Sequence, residues 1–151
     1  MATLTVSAVR VRVAAVVEAL TSPAAWTESR WVWDVLPLME PGQWAQLHFA
    51  VGVAESTWGA IESSRVNRGS DGGMTHTTVV VRWLYRLRAD AAVADYDLML
   101  AAEQTLITAL CGTAQTDLHL RLVSARRTSV GDGTWSLGDL TLDAIHRIAI
   151  Q

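Results

Sequence analysis

The sequence predicts an α+β fold, a single domain over residues 1–151 with a four-stranded, mostly antiparallel sheet and two helices packed on one face. The predicted order is α-β-β-α-β-β, with long loops. Three observations carry this expectation. Residues 77–88, TTVVVRWLYRLR, alternate with period two: Val79, Val81, Trp83, Tyr85 and Leu87 share one side, and Thr78, Val80, Arg82, Leu84, Arg86 and Arg88 the other. Residues 118–150 alternate on both sides of Gly131-Asp132-Gly133, a tripeptide that tolerates the positive φ of a hairpin turn. Two other stretches carry apolar stripes at helical spacing.

The elements follow in order. Ser7 can cap a first helix striped by Val9, Val13, Val16, Val17 and Leu20, although its V-R-V-R-V start also fits a strand. Thr21-Ser22-Pro23 stops it. Residues 24–43 read as a loop with apolar anchors, holding Trp26, Trp31, Trp33, Pro37, Pro41 and Gly42. A strand follows at about 44–54, with Leu47, Phe49, Val51 and Val53 inward and Gln46 and His48 outward. Residues 63–76 are glycine-rich and lack periodicity, a long mobile hairpin loop. After the arginine-studded strand comes a helix opened by Asp90 or Asp95, striped by Tyr96, Met99, Leu100, Leu106, Ile107 and Leu110. Gly112 ends it as the residue after the cap. In the closing hairpin, Leu118, Leu120 and Leu122 face inward, as do Leu140, Leu142, Ala144, His146, Ile148 and Ile150.

Composition narrows the function classes. With 151 residues, 50% apolar and 18% charged, the chain is long enough for a core without staples. A net charge of −3 supplies no basic field for nucleic-acid binding. One cysteine, Cys111, excludes an internal disulfide framework and fits a reducing compartment. Arg10 and Arg12 before a short apolar run faintly resemble a signal peptide, but Glu18 ends that run, so a soluble, cytosolic product with no membrane partner is expected. All 12 basic residues are arginine, which fits either GC-rich coding DNA or interfaces that use the planar guanidinium.

The outer face of the predicted sheet collects His48, Arg82, Arg86, Arg88, Arg121, Asp143 and Arg147 among Val80, Leu84, Val123 and Ile145. No third layer is evident for it, and open edge strands are a liability. Contacts between identical subunits would cover both, and a closed ring is one natural result of heterologous contacts of that kind. The alternative is a two-layer monomer whose own loops cover the outer face.

Three segments resemble the tail terminator proteins of long-tailed bacteriophages. They are TTVVVRWLYRLRADAAVADYDLMLAAEQTLITALCG at 77–112, RLVSARRTSVGDGTWSLGDLTLDAIHRIAI at 121–150, and the glycine-rich loop at 63–76. The resemblance implies a small structural virion subunit and no catalytic residues. It implies a homo-oligomeric ring, expected to be a hexamer, at the head-proximal end of the tail and assembled in the host cytoplasm. The implied partners are copies of itself, the tail tube protein and a head-completion or connector protein, with DNA passing through unbound.

The remaining candidates divide by their own chemistry. His146 on the apolar face reads as a core histidine, His48 and His119 as outward, and His76 as lying in or beside the loop. No spacing fits a metal site or a phosphate loop, so no metal, cofactor or enzyme activity is expected. Cys111 reads as a buried small hydrophobe. Asp95, Asp97 and Glu103 read as a solvated helix flank, with Glu103 either an inter-subunit salt bridge or a rim position. The tryptophan-rich start permits three readings: a subunit interface, a stacking platform for a saccharide or peptide in a small ligand-binding module, or satellite core. The residues assigned to subunit or tail-tube contacts are Trp26, Trp31, Trp33, Arg65, Arg68, Arg82, Arg86, Arg88, Arg121 and Arg147.

Overall fold

A computed structural model describes residues 3–29, 47–58, 74–112, 117–131 and 133–147. The chain forms a five-stranded mixed sheet with two helices against it, which corrects the expected four-stranded sheet. The elements are α1 (Val6–Glu18), β1 (Thr27–Glu28), β2 (Leu47–Trp58), β3 (Met74–Arg86), α2 (Ala92–Cys111), β4 (Leu118–Val130) and β5 (Trp135–Arg147). The sheet order is β1-β2-β3-β5-β4. The extra strand is the two-residue β1, which lies parallel to β2 with Thr27 opposite His48; every other pairing is antiparallel. Two residues are too few to display a period, so this strand has no sequence signal.

The inner face holds the core. Val79, Val81, Trp83 and Tyr85 of β3 point inward beside Leu47, Phe49 and Val51 of β2 and Leu140, Leu142 and Ala144 of β5. Val9, Val13 and Val17 of α1, with Met99, Ala102, Leu106 and Leu110 of α2, close over them. Each fully buried aliphatic side chain of this kind contributes about 1.5–3 kcal/mol. At the centre Trp83 faces Gly138 across the β3–β5 ladder, and a Cβ on Gly138 would overlap the indole ring. Only glycine fits there.

The helix ends differ from their expected positions. Thr5, not Ser7, caps α1, its Oγ1 accepting from the Ala8 amide. α2 starts after Ala91, which has no side-chain acceptor to cap it, and Asp95 lies inside the first turn rather than opening the helix. Gly112 ends α2 in a right-handed conformation rather than a left-handed one. The hairpin turn behaves as its glycines demand: Gly131 and Gly133 have φ of +60° and +83°, and the Thr134 amide donates to the Gly131 carbonyl.

Two bulges reset the faces. β2 gains a residue between Val53 and Glu55, and β4 gains Val123 between Leu122 and Ser124. Each extra residue inverts the inside-outside parity of the rest of its strand. In β4 this places Arg126 on the outer face opposite Asp139, and Arg127 on the inner side opposite Gly138.

Candidate functional site

The register assembles the outer face row by row. Reading from the hairpin turn across β3, β5 and β4, the rows are Arg86–Trp135–Val130, Leu84–Leu137–Thr128, Arg82–Asp139–Arg126, Val80–Thr141–Ser124 and Thr78–Asp143–Arg121. His76–Ile145–His119 and Met74–Arg147 complete it. The two carboxylates therefore form a column on β5, with cations on both flanks. Arg82 grips Asp139 through Nε and Nη2 at 2.6 and 2.9 Å, a two-pronged pairing only a guanidinium can make. Arg121 donates to Asp143 at 2.8 Å, and His76 Nδ1 meets both oxygens of the same carboxylate at 3.0 and 3.1 Å.

Charge on this face is unbalanced. Arg82, Arg86, Arg121, Arg126 and Arg147 stand against Glu55, Asp139 and Asp143, in a chain whose net charge is −3. Arg86, Arg126 and Arg147 have no carboxylate within ion-pair distance among the described residues. The other side of the molecule has the opposite surplus. There each described arginine is engaged: Arg10 by Glu28, Arg12 by Asp117, Arg88 by Asp95 and Arg127 by Glu103. Glu18, Asp90 and Asp97 have no such partner among the described residues. A shallow depression of about 460 Å³, lined by Arg86, Leu87, Arg88, Ala92 and Gly133, extends the basic surface to the end of the sheet.

Among the described residues the edge at β4 is unpaired along its length. β4 is the outermost strand, 13 residues long, paired on one side only, and mostly exposed. Leu122 and Val123 are exposed there. The bulge at Val123 and the arginines along the strand are devices that discourage indiscriminate edge pairing.

The assigned contact residues separate into groups. Arg82, Arg86, Arg121 and Arg147 lie on the outer face. Arg88 lies beyond β3, where its amide, Nε and Nη2 all donate to Asp95, which is completely buried. Those three donors hold the Asp95 carboxyl below the usual carboxylate range, against the opposing effect of burial. Trp26 is 2% exposed, packs edge-on to Phe49 and donates its indole N–H to the Ser22 carbonyl, so it is core and not a platform. Trp31, Trp33, Arg65 and Arg68 lie outside the described residues, as does most of the 63–76 loop.

Other expectations need correction. His48 is on the outer face but buried, 2.8 Å from the Ser29 hydroxyl, and Leu84 and Ala50 of that face are buried with it. The outer face is therefore closed to solvent at this end and open around Arg121 and Arg126. Asp95 and Glu103 are buried ion-pair partners rather than a solvated flank, and Tyr96 is exposed rather than part of the core stripe. Arg126 and Asp139 escaped the sequence reading; a bulge hid the first, and only the register reveals the second as a partner of Arg82.

A second polar cluster lies inside. Ser56 Oγ is 3.1 Å from Thr77 Oγ1, which is 2.9 Å from His146 Nε2. Thr77 and His146 are wholly inaccessible, and burial pushes the His146 imidazole down, favouring its neutral form. A hydroxyl sealed from solvent in this way cannot act on a substrate. Burial likewise raises the Cys111 thiol. Among the described residues no three histidine, cysteine or acidic side chains converge as metal ligands, and no helix is long and apolar enough to cross a membrane. No family model matches the chain, and neither does any curated protein.

Proposed function

We propose that this chain is a structural subunit that associates with copies of itself into a ring, and that the ring caps a phage tail tube, stops its growth and offers the surface for head joining. The observation that carries the reading is the outer sheet face, where Arg86, Arg126 and Arg147 lack carboxylate partners among the described residues and Arg126 lies on β4, the 13-residue strand at the edge of the described sheet. Surplus charge and unpaired backbone on one surface are what a subunit contact satisfies. The likeness of residues 77–112 and 121–150 to tail terminators supplies the rest of the reading. A tryptophan-platform binding module is less well supported, since Trp26 is spent on the core.

The test adds the purified chain to a polymerising tail-tube protein from the same source, with tube length followed by electron microscopy. Capping gives short tubes with a terminal ring. Tubes of unchanged length and bare ends would remove the tail-terminator assignment.

A further inference from the structure

The helices cover the inner face, so the exposed side of α2 and the outer face of the sheet look in opposite directions. The two surfaces are complementary. On α2, Val93, Tyr96 and Asp97 fall at i, i+3 and i+4 and share one side of the helix. Val93 is 80% exposed and Tyr96 42%, and the two form a small apolar patch on that side. Asp97 beside them has no ion-pair partner among the described residues, and Asp90 precedes the same helix. On the sheet, Arg126 is the matching charge, with Arg86 and Arg147 towards its two ends. Each surface has what the other lacks.

We infer that the two are halves of one heterologous contact, in which Val93, Tyr96 and Asp97 of one copy dock on the basic outer face of the next, around Arg126. The occupant of that face is thus a second copy of this chain. Surfaces that point in opposite directions cannot satisfy each other within one molecule or in a two-fold pair, so the contact propagates head to tail, and the ring reading requires that its rotation closes. The apolar pair supplies the dehydrated centre and the opposite charges fix orientation and exclude the reversed packing. This inference rests on the ring reading and specifies its geometry.

The experiment is a charge swap read by light scattering coupled to gel filtration. Asp97→Arg and Arg126→Glu each place like charges across the contact, and each alone should run as a 16.4-kDa monomer with native circular dichroism. Mixed in equal amounts, they should regain the wild-type mass, because reversed charges now face each other at alternate contacts. Arg126→Asp serves in place of Arg126→Glu if that variant misfolds. Variants that each retain the wild-type mass would overturn this geometry while leaving the ring reading standing, as would dissociated variants that fail to recombine. A monomeric wild type would overturn both.

Discussion

Gly138→Val is expected to cost about 3 kcal/mol, a large share of the ~5–15 kcal/mol that holds a domain of this size together. The reason is local. Gly138 sits directly across from Trp83 at the centre of the sheet, and any Cβ there intrudes on a rigid, fully buried indole. The ring cannot swing aside, because Phe49, Val81 and Leu140 belong to the same close-packed cluster. Trp83→Ala on its own should cost about 3–5 kcal/mol by leaving a cavity. In that background the valine at 138 has room, so its penalty should shrink to about 1 kcal/mol or less. Denaturant unfolding of the four proteins closes the cycle. Additive costs would mean the two residues do not share that space.

Asp95→Ala is the second large effect, expected at about 2–3 kcal/mol. Asp95 accepts three hydrogen bonds from Arg88, one from its backbone, and so ties the end of β3 to the first turn of α2. Removing the carboxylate leaves that backbone amide without its acceptor and frees the β3–α2 connection. The same contact gives the acid limb of stability a defined sign. The folded pKa lies below the unfolded one, so the contribution is complete above the unfolded carboxylate range, about pH 4, and is lost as acidification passes through the lower folded value. Thermal unfolding from about pH 7 to about pH 2 should therefore show a shallower acid limb in Asp95→Ala than in the wild type. Identical limbs would show that Asp95 is not held by Arg88.

What the sequence revealed, and what it concealed, has a common cause. Alternation is a local property, so the two faces of β3 and β5, the apolar stripe of α2 at Met99, Leu106 and Leu110, and the hairpin at Gly131 and Gly133 were all readable from neighbours in the chain. β1 was not, because a two-residue strand exists only through its pairing with His48 and Phe49. Bulges are equally silent. Val123 inverted the faces of the second half of β4, turning Arg126 outward and sending Arg127 to Glu103. The acidic residues of α2 were misread for a related reason. Carboxylates on a helix are normally solvated, and Asp95 and Glu103 are buried only because arginines from outside the helix reach them. Arg88 and Asp95 are seven residues apart, close enough in sequence that the pairing was available to inspection. Trp26 shows the limit of residue-type preference: tryptophan marks interfaces on average, but here it packs on Phe49.

The surplus charges of the outer face are the basis of the proposed association. Each described arginine on one side is paired with the chain's own carboxylates, whereas Arg86, Arg126 and Arg147 on the other are not, and the proposed subunit contact is argued from that difference. Head-to-tail association is the central claim, and the mass of the purified protein in solution tests it most directly, measured by light scattering after gel filtration at a low and a much higher concentration. The account predicts one closed oligomer of several 16.4-kDa chains, a hexamer by likeness to tail terminators, with the same mass at both concentrations. A monomer or a simple dimer at the higher concentration would contradict it.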